Sequence, residues 1–401
     1  MKNIFFLILM FSVGTLLGNS AFSFSGMPHQ YLGNDVYGIG MGETGLADMY
    51  RINTDYYNPS LASTANKVIF STAVSLGYIW YGDKNGNNFR DNGLTFPYFT
   101  IAIPVAAHKF AFSFNSFLSG NLENQIGRSW ENLNYTEINR IDADVYKANF
   151  IYAFKNRFLN FGLAVNYYLG HRTRFWELDF DEEDYSDAKY EIEKNFKNPG
   201  FSVGINKKIG NLSLAAVYIS PTKLDGSTYF KYVHSPYQDT LSNKMENLEI
   251  AEQIAGGLTV KFLEKFKASC DFYYEFQNKT DSFDFDAYKI AFGFAYDPLS
   301  GYNKWYKKIP FRFGGYNRLL PFEENGQKIF EKSFTIGSSI PLKSEYKKID
   351  LALKFMWRGD LDKNSLRDKS VMLNIGISGF DIFSKRTKRI APREIPKADI
   401  R

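Results

Sequence analysis

The chain has 401 residues, and 48 lysines and arginines against 43 aspartates and glutamates leave a net charge of only +5. This charge gives no case for nucleic-acid binding by the whole chain, and a single cysteine excludes a disulfide framework or a thiolate metal cluster. Aromatic residues make up 17% of the sequence and charged residues 23%. The chain is therefore too rich in aromatic residues and too polar for a bundle of membrane helices.

Residues 1–23 have the features of a secretory signal peptide. Lys2 precedes an apolar run over residues 4–18, which is shorter than the roughly 20 residues of a membrane-spanning helix. The segment Ala21-Phe22-Ser23 forms a small-x-small cleavage pattern, and Gly18-Asn19-Ser20 is a second choice. No comparable apolar run follows, so a mature membrane protein would have to cross the bilayer with strands. The less favoured alternative is a membrane-anchoring helix.

Most of the chain alternates between two kinds of residue with a period of two. In residues 266–276, Phe266, Cys270 and Phe272 share one face, whereas Lys267 and Asp271 share the other. The same alternation recurs in residues 110–115, 257–262, 289–296, 349–358 and 371–378. The apolar face suits lipid and the polar face suits a lumen, whereas a soluble sandwich would bury the apolar face. Together with the signal peptide, this favours an outer-membrane barrel.

The pattern therefore predicts an all-β fold, a transmembrane antiparallel β-barrel of about 14 strands over residues 67–383. Longer polar loops are expected near residues 83–93, 121–142, 179–196 and 234–247, alternating with tight turns. The strands are predicted at 67–82, 94–105, 109–120, 143–154, 159–178, 197–207, 212–233, 248–262, 266–280, 286–297, 309–321, 328–342, 348–360 and 368–383.

Residues 24–66 do not alternate and are predicted to form an N-terminal plug inside the lumen. They contain a glycine-rich stretch with Gly40, Gly42 and Gly45, and later the motif Asn58-Pro59-Ser60. A phosphate-binding loop would need a preceding strand and a dinucleotide-binding unit, and neither is present. We therefore expect these glycines to permit close packing of a short helix or turn against the barrel wall.

The order of these features resembles the FadL-type family of outer-membrane transporters for hydrophobic compounds. In that family the plug carries an Asn-Pro-Ala motif, which Asn58 and Pro59 match and in which Ser60 replaces the alanine. The resemblance implies passive uptake of hydrophobic molecules such as long-chain fatty acids, with outer-membrane lipid and lipopolysaccharide as surroundings. It also implies a sideways exit at a kinked third strand, and Asn115, Ser116 and Gly120 are the candidate wall-opening residues in strand 109–120.

Catalytic motifs are not found in the sequence: neither HExxH nor GxSxG occurs, and four histidines are widely spaced. We therefore predict no enzyme activity, no cofactor and no metal site. The acidic run over residues 179–184 is interpreted as a solvated outer loop, with cation binding as the alternative.

Charged residues recur on the face predicted to line the lumen. Two interpretations remain open, a neutralised lattice of ion pairs that holds lumen and plug, which we favour, and a headgroup site in which a cation such as Arg312 binds a carboxylate. The candidate lumen or ligand residues are Lys267, Asp271, Lys289, Arg312, Asp350, Lys354 and Arg358, with Glu275 and Glu331 on the same face.

A second function of a different class is a structural or docking barrel within a secretion or surface-assembly complex. The extension past Phe383 favours it, because the resembling family commonly ends at its last strand. Residues 384–401 form a basic tail with seven lysines and arginines against two acidic residues, so the tail accounts for the whole net charge. We expect this tail in the periplasm, where it could contact a partner.

Under the uptake hypothesis, Trp130, Tyr135 and Trp176 near the rim capture the ligand.

Overall fold

The computed structural model describes residues 20–23, 29–32, 34–86, 88–130, 133–181, 187–233, 248–280, 283, 285–298, 309–342 and 347–380. The predicted loop 234–247, the basic tail 384–401 and residues 1–19 of the predicted signal lie outside the described residues.

Antiparallel strands make up most of the described chain. They are β1 (His29–Gln30), β2 (Ile69–Asp83), β3 (Asn88–Thr95), β4 (Tyr98–Val105), β5 (His108–Trp130), β6 (Leu133–Phe154), β7 (Asn160–Phe180), β8 (Ala188–Ile209), β9 (Leu212–Ile219), β10 (Thr222–Leu224), β11 (Thr228–Val233), β12 (Leu248–Ile250), β13 (Gln253–Phe262), β14 (Phe266–Glu275), β15 (Ala287–Tyr296), β16 (Phe311–Glu324), β17 (Gln327–Pro341), β18 (Lys348–Asp360) and β19 (Leu366–Phe380). The helices are α1 (Val36–Gly40) and α2 (Leu361–Asn364), and 3-10 turns cover Ala21–Ser23, Pro59–Thr64 and Gln277–Lys279.

The sheet closes on itself, because the last strand pairs with the first wall strand. β19 is hydrogen-bonded to β2 from Leu366–Asp83 to Phe380–Phe70. β3 and β4 form one interrupted wall strand, β9 to β11 form another, and β12 and β13 form a third. The wall therefore has 14 strands, and the predicted all-β barrel is confirmed.

The two faces of the strands point into different environments. On β14, Lys267 and Asp271 are buried, whereas Phe272, the residue after Asp271, is 43% exposed. Large aromatic side chains on other strands are exposed in the same way: Phe150, Phe292, Phe313, Phe334 and Trp357. The apolar residues thus cover the outer surface, as in a barrel that faces lipid.

Residues 29–32 and 34–65 lie inside this barrel and are called the luminal segment here. Backbone and side-chain atoms of this segment approach the wall where glycines leave no side chain. The contacts pair Val36 with Gly376, Gly40 with Gly337, Met41 with Gly293 and Gly314, Leu46 with Gly257, Asn58 with Gly204, and Pro59 with Gly162. These glycines lie on seven different wall strands, so the segment is held from all around the lumen.

Three of the predicted loops are wrong, because the chain there continues as strand. β3 covers most of 83–93, β5 and β6 cover 121–130 and 133–142, and β7 and β8 extend into 179–196. Residues 121–130 of β5, 133–142 of β6, 173–180 of β7 and 188–194 of β8, together with β11, form a five-stranded sheet that we call the blade. Because charged residues occur on both faces of these strands, their sequence resembles that of a solvated loop. The backbone ladders and ion pairs such as Arg128–Glu137 (2.6 Å) nevertheless hold these residues in strands.

Candidate functional site: the lumen and the seam beside β5

The wall is interrupted between the second and third wall strands. β4 pairs with β5 from Val105–His108 to Tyr98–Asn115, and the Ser116 amide then donates to the Pro97 carbonyl at 3.2 Å. Beyond this point β3 pairs with β2, and no ladder joins β3 to β5 among the described residues. A proline at the break cannot donate a ladder hydrogen bond, which suits the end of a pairing. We call this interruption the seam.

The luminal segment supplies the strand that lies against β5 at the seam. Gln30 of β1 pairs with Leu118 and His29 pairs with Ser119. The Tyr31 amide adds a hydrogen bond to the Phe117 carbonyl at 2.8 Å. Among the described residues, the seam is thus occupied by the two paired residues of β1 and by the hydrogen bond from the Tyr31 amide.

A β-bulge marks the same position on β5. The register between β5 and β6 shifts between Ser116 and Leu118, so Phe117 is the extra residue. Its side chain is 5% exposed and its ring lies 5.2 Å from that of Tyr168 inside the barrel. Of the predicted wall-opening residues, Asn115 and Ser116 directly precede the bulge, whereas Gly120 lies in the regular ladder opposite Ala143.

A cavity of about 20 Å³ lies behind the seam. Its lining includes Tyr31, Asn115, Phe117, Lys147 and Tyr168. Lys147 is 7% exposed, and its ammonium lies 5.6 Å from the centre of the Tyr168 ring. The volume holds about one water molecule. The sequence prediction missed Lys147, although it falls on the inward-facing positions of the predicted strand 143–154.

A second cavity, of about 40 Å³, lies among the charges that join the luminal segment to the wall. Glu43 lines it and pairs with Lys289 of β15 at 2.6 Å and Lys354 of β18 at 2.5 Å. Burial opposes ionisation of Glu43, but these two cations outweigh it and lower the pKa of Glu43 to about 2. Glu43 therefore carries a negative charge that pairs with both lysines.

Lys267 and Asp271 of β14 hold the next turn of the luminal segment. The Lys267 ammonium lies 3.0 Å from Asp48 and 3.1 Å from Asp297. Asp271 accepts hydrogen bonds from the amides of Gly45 at 2.7 Å and Leu46 at 3.0 Å. Gly45 has a φ of +141°, which favours glycine at this close approach.

The remaining candidate cations are also engaged by protein groups. Arg312 is fully buried, donates to Ser339 Oγ at 2.7 Å, and lies 3.4 Å from Asp350 and 4.1 Å from the Tyr37 ring centre. The Nε atom of Arg358 donates a hydrogen bond to Glu331 Oε2 at 2.9 Å. This geometry is that of an ion-pair lattice, in which Arg312 and Arg358 already have carboxylate partners.

The Asn58-Pro59-Ser60 motif begins a 3-10 turn against the wall. Asn58 Oδ1 accepts from the Ser60 amide at 3.1 Å and from Ser60 Oγ at 2.7 Å, and its Nδ2 donates to the Leu46 carbonyl at 2.8 Å. Pro59 occupies the first turn position, where no amide donor is needed. The motif therefore connects the two halves of the luminal segment.

One charged cluster within the luminal segment was missed by the sequence prediction. Arg51 pairs with Asp35 at 2.5 Å and with Asp48 at 3.0 Å, and Asn34 Nδ2 donates to Asp55 at 2.8 Å. Burial opposes the charge on Asp35, but Arg51 holds its pKa below the ordinary value. Burial and the nearby Asp35 charge raise the pKa of Asp55 to about 7. These residues are spread over 22 positions with no recognisable motif, so only the fold brings them together.

A family model described as BamG matches residues 1–388. The chain belongs to the BamG family. No curated protein matches it. Among solved structures, this BamG-family chain is similar to the Pseudomonas putida toluene transporter TodX, with a TM-score of 0.53, 15% identity and coverage of 80% of this chain and 91% of that one. The Ralstonia pickettii toluene transporter TbuX gives a TM-score of 0.53 at 14% identity, with 87% and 98% covered.

A TodX variant titled as a monoaromatic hydrocarbon channel gives a TM-score of 0.58 at 14% identity, with 87% of this chain and 99% of that one covered. At this identity the likeness shows the fold. The FadL-type barrel expected from the sequence is thereby confirmed, and the closed, lipid-facing wall places this BamG-family protein in the outer membrane.

Proposed function

We propose that this BamG-family barrel carries small hydrophobic molecules across the outer membrane and releases them sideways through the seam. The observation that supports this most directly is the way in which β1 fills the seam, with two paired residues beside the Phe117 bulge. The solved structures TodX and TbuX, which have the same fold, are titled toluene transporters.

Passage would require the luminal segment to move. The two cavities described above, of about 20 and 40 Å³, hold one to three water molecules, and neither has room for an aromatic ring or an acyl chain. Displacing β1 removes few backbone hydrogen bonds, each worth about 1 kcal/mol net, whereas the ion pairs of Glu43 and Lys267 hold the rest of the segment. β1 is therefore the part of the lumen filling that would open first.

Within this class of substrate, we propose long-chain fatty acids. Lys147 places a buried cation behind the seam, where it could bind the carboxylate of a fatty acid whose chain leaves through the wall. Tyr135 of β6 and Trp176 of β7, both in the blade, would contact the ligand first. Lipopolysaccharide would surround the blade. Replacing Lys147 by methionine should lower palmitate uptake about tenfold and leave toluene uptake unchanged.

A disulfide across the seam tests the route. Gln30→Cys with Leu118→Cys, in a Cys270→Ser background, joins β1 to its register partner on β5. Uptake of labelled palmitate and toluene into proteoliposomes is measured before and after oxidation. We expect oxidation to reduce uptake at least tenfold and a reducing agent to restore it.

The matched control places the same crosslink inside the lumen but away from the seam. Thr259→Cys with Ser269→Cys joins β13 to β14, where the two hydroxyl oxygens lie 2.9 Å apart. This variant should transport equally in both redox states. Uptake through the oxidised seam variant at the unmodified rate would overturn the proposal, as would uptake no faster than in empty liposomes.

The blade favours a second candidate function, a docking subunit of an outer-membrane assembly. Its portion of β6, at about 3.4 Å per residue, extends roughly 35 Å along the strand past the apolar band. Arg140–Glu123 (2.6 Å) and Arg128–Glu137 (2.6 Å) brace it. Replacing residues 122–142 by a two-residue turn should release a stoichiometric outer-membrane partner, and truncation after residue 384 tests the predicted tail contact separately. An unchanged complex in both variants would remove this candidate.

A further inference from the structure

Residues 20–22 are built into the lumen, at the end of the barrel where β2 ends and β19 begins. Ala21 packs against the buried cluster of Ile79, Tyr81 and Met372. Ser20 and Phe22 are 1% and 0% exposed. The short turn at Ala106–Ala107 lies at the opposite end, so residues 20–22 occupy the half of the lumen toward the longer connections. Short turns are periplasmic in such barrels, which places this part of the chain on the extracellular side.

The wall has a recess whose shape fits Phe22. Gly359 has a φ of +72°, and a Cβ atom there would lie 2.4 Å from Phe22 Cζ. The Phe22 ring lies 6.4 Å from that of Phe322 and belongs to the same buried cluster as Leu320 and Ile329. Gly359 thus leaves space for Phe22, which cleavage after Ser23, at the Ala21-Phe22-Ser23 pattern, would remove.

A buried carboxylate faces the backbone at the same place. Asp368 is 1% exposed, accepts a hydrogen bond from the Ser20 hydroxyl, and accepts another from the Ala21 nitrogen at 3.2 Å. Arg358, the nearby cation, is bonded to Glu331. The Arg358 guanidinium also attracts Asp368, and a second positive charge beside Asp368 would give this buried carboxylate a counter-charge of its own.

We propose that signal processing occurs after Ser20 and that the new α-ammonium of Ala21 forms an ion pair with Asp368 in the lumen. A signal peptidase would hydrolyse the Ser20–Ala21 amide, with water supplying the hydroxyl of the Ser20 carboxyl group and the proton that completes the Ala21 amine. Gly18 and Ser20 supply the small residues that such cleavage requires. Cleavage after Ser23 would leave the Gly359 recess empty and remove the amine from Asp368.

Intact mass and N-terminal sequencing of the protein purified from outer membranes test the cleavage position without any variant. The expected first residue is Ala21. A first residue at Phe24, at any other position, or at an unprocessed Met1 overturns the proposal.

Chemical labelling of the α-amine tests the ion pair. A reagent selective for N-terminal amines should react at least tenfold more slowly with the folded protein than with the protein in denaturant, and Asp368→Asn should remove most of that protection. Equal labelling of folded and denatured protein would overturn the pairing with Asp368.

A pair of glycine variants tests the recess. Gly359→Ala should displace Phe22 and increase amine labelling. Gly86→Ala is the matched control, because Gly86 also has a positive φ (+89°) but no atom within 4 Å of a Cβ. It should label like the unmodified protein. Equal labelling of the two variants would count against the Phe22 site.

Discussion

Gly40 of α1 lies backbone to backbone against Gly337 of β17. A Cβ atom on Gly337 would lie 2.8 Å from the Gly40 Cα, and one on Gly40 would lie 2.9 Å from the Gly337 Cα. Neither backbone has a positive φ, so the requirement for glycine is one of space. Gly337→Ala should therefore lower the free energy of unfolding by about 1–3 kcal/mol, measured by guanidinium titration in detergent micelles.

Gly256→Ala on β13 is the matched control for this contact. The nearest atom to a Cβ at Gly256 is 3.8 Å away, so the added methyl group meets only ordinary van der Waals contact. Its free energy of unfolding should stay within about 0.5 kcal/mol of the unmodified protein. If the two alanine variants were equally stable, α1 would not be packed against β17 as described.

Glu43 pairs with two buried lysines from different wall strands, so its removal should cost more than that of a surface carboxylate. Glu43→Gln leaves Lys289 and Lys354 buried without their carboxylate and should reduce stability by about 3–5 kcal/mol. Glu137→Gln breaks a pair whose Arg128 side chain is 50% exposed and should cost less than about 1 kcal/mol. Thermal unfolding of both variants in the same detergent compares them, and similar losses would contradict a buried role for Glu43.

The same carboxylate gives a stability change in acid. The pKa of Glu43 is lowered to about 2 in the fold, so its contribution is present above its ordinary value near 4.5 and is lost as pH falls through about 2. The unmodified protein should lose stability over this window, and Glu43→Gln should have a flatter profile there. Parallel profiles of the two proteins between pH 5 and pH 2 would show that Glu43 is not ion-paired.

Asp55 should produce the opposite dependence near neutral pH. Burial and the charge of Asp35 raise its pKa to about 7, so the folded state binds a proton that the unfolded state has released. Its contribution to stability is full below about pH 4 and is lost as pH rises through about 7. Asp55→Asn should raise stability at pH 8 by on the order of 2 kcal/mol and remove this slope.

A substitution at the exposed Asp362 of α2 is the control for this titration. Asp362→Asn should leave the slope between pH 4 and pH 8 unchanged, as followed by guanidinium unfolding at each pH. If Asp55→Asn kept the same slope as the unmodified protein, the proton would be bound elsewhere.

Period-two alternation was sufficient to predict the wall, because lipid and lumen demand different residues on adjacent positions. Lys267 and Asp271 were assigned inward from the sequence, and both are buried there. Their partners were not predictable, since Asp48 and the Gly45 amide belong to a segment without periodicity. The contacts depend on where the luminal segment lies in three dimensions.

The blade and the β1 contact mark the limits of that prediction. Residues such as Glu123, Arg128 and Arg140 carry charges on both faces, so no alternation distinguishes strand from solvated loop. Two residues of β1 are also too few to show a period. Asn115, Ser116 and Gly120 were chosen from the sequence as a possible break in the third strand; the bulge lies at Phe117, directly after the first two, and a wall opening there stays a prediction.

Phe117 provides a test of the cavity behind the seam. Its ring packs on Tyr168 and lines the cavity of about 20 Å³, so Phe117→Ala should enlarge this space and lower stability by about 3–5 kcal/mol. Toluene should then bind in the enlarged cavity and recover part of the loss, because a ligand that binds only the folded state stabilises it. Differential scanning calorimetry with and without toluene measures both effects. Phe150→Ala on the lipid face, where Phe150 is 59% exposed, should show no recovery by toluene. Equal recovery in the two variants would mean that toluene acts through the detergent, not through the cavity.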